Sequence, residues 1–64
     1  MMVLDMVLTE PQQILSEKFG RKAYQSLIEI NDGKQAVLRA IVEEGNPLIV
    51  VTVYYTTKVN KYWR

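Results

Sequence analysis

The sequence contains no cysteine and no histidine. The first absence excludes disulfides and thiolate nucleophiles. The two together exclude the thiolate and imidazole sites that hold zinc, and any triad built on an imidazole base. Glycine is scarce, with three residues that all fall at turns or breaks, so no glycine-rich phosphate loop can form. The seven carboxylates are scattered and lack the Asp-rich spacing of a hard-cation loop. No metal and no cofactor is therefore expected. No apolar run approaches the ~20 residues that span a bilayer. The apolar stretch 1–8 is interrupted by Asp5 and has no basic region before it, which makes it a poor signal peptide. No membrane partner is expected, and the lack of cysteine fits a reducing, cytoplasmic setting. A net charge of +1 favours neither nucleic acid nor an acidic partner.

What is present is dominated by Leu48-Ile49-Val50-Val51-Thr52-Val53-Tyr54-Tyr55-Thr56-Thr57. Every residue in it is β-branched, aromatic or Leu. Such side chains lose χ1 freedom in a helix and suit a pleated, half-buried surface. The run predicts a long strand, and the other segments arrange around it.

Val3, Leu4, Val7, Leu8 and Pro11 form one apolar helical stripe. Pro11 disfavours helical geometry at Glu10, which ends the first helix near Leu8 or Thr9. Pro11 is then expected to open a short second turn, capped by Thr9, that carries Ile14 and Leu15 into the core. Phe19-Gly20 breaks the pattern. Arg21 to Ile30 reads as a strand, Asn31-Asp32-Gly33-Lys34 as a hairpin turn, and Gln35 to Glu44 as a second strand. Gly45-Asn46-Pro47 is a second turn before the Leu48 strand, and Val59 to Arg64 is a short polar-aromatic tail. The expected fold is α+β. One domain, 1–64, carries an N-terminal helical segment packed on a three-stranded antiparallel β-meander.

Two-residue loops at Asp32-Gly33 and Gly45-Asn46 place Leu27 opposite Leu38, and Leu38 opposite Val53. One face then collects Ala23, Leu27, Ala36, Leu38, Ala40, Val42, Ile49, Val51, Val53 and Tyr55. It is almost wholly apolar, and its alanines leave room for a helix. Leu38 is expected in this core. The other face collects Tyr24, Ser26, Ile28, Val37, Arg39, Val50, Thr52 and Tyr54. Lys22 faces Glu43 and Arg21 faces Glu44, opposite charges across one strand pair. A slip of one residue would exchange the faces of a strand.

On the mixed face Arg39 has Ser26 and Thr52 as lateral neighbours, with Tyr24 and Tyr54 nearby. An arginine among hydroxyls and phenols can grip a phosphate through two N–H groups, and tyrosines can stack on splayed bases. The tail Thr57-Lys58-Val59-Asn60-Lys61-Tyr62-Trp63-Arg64 interleaves basic and aromatic residues in the manner of single-strand RNA binders. The candidate nucleic-acid contacts are Tyr24, Arg39, Lys58, Lys61 and Tyr62. The competing reading makes Arg39 an arginine whose stem covers apolar surface, with Tyr62 and Trp63 as core or interface anchors. The pair Glu43-Glu44 reads as a solvated strand end.

Three stretches together resemble a family of small uncharacterised prokaryotic domains distantly similar to the BrnT and RelE/ParE toxins of toxin–antitoxin operons. They are Val3-Leu4-Asp5-Met6-Val7-Leu8-Thr9-Glu10-Pro11, Gly20-Arg21-Lys22, and Leu48 to Lys58 with its Ile-Val-Val-Thr core. The resemblance departs from the family pattern at the N-terminus. The family's usual first helix, with its His and basic residues, has no counterpart here, and neither has the N-terminal strand of RelE-like toxins. The resemblance implies RNA contact and, if the chain cleaves RNA, metal-independent phosphodiester transfer. Arg39 would stabilise phosphate charge, and Tyr54 or Lys58 would assist positioning or proton transfer. An antitoxin-like protein is an implied partner. The alternative is a non-catalytic interaction module.

So short a chain buries only about 60% of its unfolded surface. Without disulfides or a metal, oligomerisation is the remaining support. The Leu48–Thr57 strand is long, uncharged and at the edge of the meander, with no Lys, Pro or bulge to blunt it. A homo-oligomer paired through this strand is expected.

Overall fold

The computed structural model describes residues 3–64. Met1, Met2 and the side chain of Val3, all part of the expected apolar stretch, lie outside what it describes. Chain order is α1 (Val3–Thr9), β1 (Gln13–Ser16), a single 3-10 turn (Lys18–Gly20), β2 (Lys22–Asn31), β3 (Lys34–Glu43), β4 (Ile49–Thr56) and α2 (Val59–Tyr62). The four strands form one antiparallel sheet in the order β1-β2-β3-β4. The α+β class is as the sequence implies, with one strand more than expected.

A helix as short as α1 is marginal alone and holds its shape by docking. Val7 is 1% exposed and packs with Tyr24, Ala40 and Val42; Leu4, Leu8, Leu38 and Leu48 close the rim. Ala40 has no accessible surface, and its small side chain lets the helix approach the sheet. Pro11 ends α1 where expected, at Thr9. The Thr9 hydroxyl does not cap a second helix. It donates to the Asp5 carbonyl at 2.7 Å within α1.

The second helical turn after Pro11 is replaced by β1. So short a segment has little helical stability of its own, and its neighbours decide its conformation. The outer edge of β2 carries backbone groups that need partners, and Gln13–Ser16 supplies them. Gln12 N–H adds a bond to the Gln25 carbonyl at 3.1 Å. Ile14 is exposed and Leu15 only half-buried, and neither of these two expected core residues joins the cluster under α1.

The β2–β3 turn is the one the sequence specifies. Asp32 and Gly33 both take positive φ, 49° and 78°, as a primed two-residue turn requires. Asn31 pairs with Lys34, but Glu29 pairs with Gln35, so Ile30 is an extra residue bulged out of the ladder. The register therefore moves by one beyond the turn. Leu27 lies opposite Val37, and Leu38 opposite Ser26. This exchanges the faces of β2. Tyr24 moves to the α1 side, and Gln25 takes the place expected for Ser26 beside Arg39.

The β3–β4 connection spans 44–48, with Asn46–Pro47 in the cis form, and is longer than two residues. Val42 pairs with Val50 and Ile41 with Thr52, so Val51 is a second bulge. The edge strand thus does carry one of the devices expected to be missing, near its start. From Thr52 to Thr56 the ladder is regular, with Val53 beside Ala40, Tyr54 beside Arg39 and Tyr55 beside Leu38. Leu38 is only half-buried, at the rim of the core. The expected charge pairs shift with the register into one exposed bridge, Arg21 Nε to Glu43 at 3.1 Å. Such a bridge contributes at most about 1 kcal/mol. Among the described residues no helix is long and apolar enough to cross a membrane.

The docking of α1 is testable. Val7→Ala removes two buried carbon groups and should cost about 2 kcal/mol in chemical denaturation. A loss under ~0.5 kcal/mol, the surface value, would mean that α1 does not pack on the sheet.

Candidate functional site

The sheet has two unlike faces. One is covered by α1. On the other, α2 lies over β3, and the centre is Arg39, which is 4% exposed. A guanidinium presents five N–H groups in a rigid fork. Each of its three nitrogens makes one bond. Nε donates to Gln25 Oε1 at 2.9 Å, Nη1 to the Tyr54 hydroxyl, and Nη2 to Glu17 Oε2 at 2.9 Å. Its carbon lies 4.5 Å from the centre of the Tyr62 ring and 5.7 Å from that of Tyr54, within cation–π range. The two rings meet edge to face, 6.4 Å apart.

The network continues past the arginine. Gln25 is fully buried, and its amide donates to Gln13 Oε1 at 2.8 Å and to the Tyr62 carbonyl at 3.0 Å. Gln13 in turn donates to the Arg64 carbonyl at 2.9 Å and accepts from the Arg64 N–H at 3.2 Å. β1 and the C-terminal segment are thus joined through side-chain amides, and no buried side-chain nitrogen or oxygen among the described residues lacks a partner.

An open cleft of about 570 Å³ lies over this network, lined by Leu15, Ser16, Glu17, Arg39, Tyr54, Lys61, Tyr62 and Arg64. Four of the expected site residues come together here: Arg39, Tyr54, Lys61 and Tyr62. Lys61 also holds its ammonium 5.3 Å from the Tyr62 ring centre. Lys58 does not join them; it precedes α2, exposed, outside the lining. Tyr24 is on the opposite face, the consequence of the Ile30 bulge, so it cannot share a ligand with Arg39. The lateral neighbours of Arg39 are Gln25 and Tyr54, not Ser26 and Thr52. Glu17, Gln25, Gln13 and Arg64 were missed. Gln25 would have been found by allowing one bulge after the hairpin. Glu17 has no sequence signal, because it reaches Arg39 from outside the strands.

Chemically, the cleft offers cations and phenols and one carboxylate, Glu17, which is bonded to Arg39. No group of three or more potential metal-ligating side chains occurs among the described residues. No protein-family model, no curated protein and no solved structure matches the chain.

On the far face the Tyr24 hydroxyl donates to the Glu44 carboxylate. That bond, then burial, then the carboxylate's charge raise the phenol's pKa above its ordinary value near 10. Above pH ~10 the folded state holds a proton that the unfolded state has lost, so stability must fall as pH rises there. Tyr24→Phe should flatten that alkaline fall when denaturation at about pH 8 and about pH 11 is compared with the parent. Equal falls in both proteins would contradict the Tyr24–Glu44 bond.

Arg39 gives a second test. Arg39→Met keeps the stem but orphans the buried Gln25 oxygen and removes the partner of Glu17. The expected loss is about 3 kcal/mol, at the lower end for a broken buried pair because Glu17 can turn to water. Lys58→Ala should change stability by less than ~0.5 kcal/mol. Equal small effects would mean that Arg39 is not a structural centre.

Proposed function

We propose that this chain is a non-catalytic interaction module whose binding element is the edge strand β4, and that its partner is a second copy. One observation carries the reading: large exposed apolar side chains gather on this strand. Ile49, Val50, Val51, Val53, Tyr54 and Tyr55 are all exposed, Tyr55 by 61%. α1 packs over β2 and β3, and α2 over β3. Among the described residues no strand lies on the outer side of β4.

An uncharged edge suits its own copy, because no like charges meet when it pairs with itself. A twofold axis perpendicular to the sheet sets two β4 strands antiparallel and keeps their faces aligned. Val53 and Tyr55, which share the α1 face with Ala40 and Leu38, then extend the apolar surface across the joint. The Val51 bulge leaves Thr52–Thr56 as the regular segment for pairing. An antitoxin-like protein could offer a strand to the same edge. A cytoplasmic setting belongs to the same proposal.

A second reading keeps one supporting observation. Arg39, Tyr54, Lys61 and Tyr62 share a cleft, which suits contact with RNA as the resemblance to RelE/BrnT-like toxins implies. In that reading Arg39 and Tyr54 carry any phosphodiester chemistry. Lys58 has no part at the cleft, and Glu17 already compensates the Arg39 charge.

Sedimentation equilibrium at micromolar concentration tests the first reading. The expected mass is twice the 7.4 kDa of one chain. Val53→Lys, a charge placed on the edge, should weaken association at least about tenfold without unfolding the chain. A monomer at high concentration, or a dimer indifferent to Val53→Lys, would count against it.

A further inference from the structure

We propose that the cleft over Arg39 is a binding site for a phosphate group, and that Glu17 is an internal anion which the phosphate displaces. The proposal uses the cleft of the second reading but does not require RNA as the ligand.

Charge comes first. Arg39, Lys61 and Arg64 line the cleft, and Glu17 is the one Asp or Glu side chain in its lining. With Glu17 displaced, three cations face the incoming group, which suits a doubly charged anion better than a monocarboxylate. The donors fit as well. Each terminal nitrogen of Arg39 makes one bond and so keeps a further N–H. The Tyr54 hydroxyl accepts from Arg39, which leaves its own proton to give.

Glu17 is suited to leaving. Its side chain is 33% exposed, whereas that of Arg39 is 5% exposed. It sits on the connection between β1 and the 3-10 turn, and its carboxylate has Arg39 as its hydrogen-bond partner. It can swing into water without breaking the packing. Arg39 cannot leave, because Gln25 and the Tyr62 ring hold it. A fixed buried cation with a mobile internal counter-ion is an arrangement in which an external anion competes on even terms. The volume of about 570 Å³ lies within the range of small-molecule sites, so the phosphate can carry a nucleotide-sized group.

The test is titration of the full chain, followed by amide chemical shifts at constant ionic strength set with chloride. The probes are inorganic phosphate, adenosine 5′-monophosphate and a short oligoadenylate. Shifts at Glu17, Arg39 and Tyr54 with a phosphate probe, and none with chloride, are expected. Glu17→Gln keeps an oxygen for Arg39 to bond but removes the competing charge, so it should tighten phosphate binding by roughly threefold or more. A merely structural Glu17 would not produce that sign. The double variant Lys61→Ala/Arg64→Ala should weaken binding by a similar factor, and it serves if Glu17→Gln does not fold. A small phosphate binding as tightly as the oligoadenylate assigns the site to a small-molecule ligand; a much tighter oligoadenylate assigns it to an RNA phosphate. Both support the site. Binding unchanged in Glu17→Gln would overturn the displacement while leaving RNA contact standing. No shift in either protein up to roughly 10 mM, an affinity too weak to matter, would overturn both.

Discussion

The fold depends on one buried guanidinium. Arg39 gathers Gln25 from β2, Tyr54 from β4, Glu17 from the connection after β1, and Tyr62 from α2. A single sheet with one seven-residue helix on one face has little apolar mass to hold it. The other face has no second layer of that kind. It is closed by amides, phenols and a charge, each satisfied by the next. Such a network costs desolvation and adds little net stability over an apolar replacement, but it is unforgiving of a missing partner. It therefore specifies how β1 and the C-terminal segment attach.

This arrangement bears on function. An arginine on an open strand face is an invitation to an anion. The same arginine enclosed by four partners is first a structural group, and whatever binds there must compete with Glu17. Among the described residues, exposed apolar side chains and the outer side of an edge strand coincide along β4. The two faces and the edge differ in kind: apolar docking under α1, polar closure under α2, and an exposed apolar edge at β4, where we propose association.

Much of this was legible in the sequence. The helix ending at Thr9, the Asp32-Gly33 turn, three of the strands, and Ala40 and Val42 as the seat for α1 follow from residue types and spacing. The gathering of Arg39, Tyr54, Lys61 and Tyr62 was partly legible, through the parity of β3 and β4 and the basic-aromatic tail. What was not legible has two physical causes. Bulges at Ile30 and Val51 carry no glycine or other marker, yet the first moves Tyr24 to the wrong face and puts Gln25 beside Arg39. And β1 is a strand by recruitment. Gln13–Ser16 has no strand pattern of its own and extends because β2 needs a partner.

The claim that β4 is the working surface is tested most directly by amide hydrogen exchange across β4 as a function of protein concentration. The β4 amides that point away from β3, every second one along a regular edge strand, face no neighbouring strand among the described residues. If two copies pair through this strand, these amides gain protection as concentration rises from about 10 μM to about 1 mM, together, and with the same midpoint as dimer formation. If they exchange as unprotected groups at every concentration, β4 does not pair with its own copy, and the account of how this small sheet is completed is wrong.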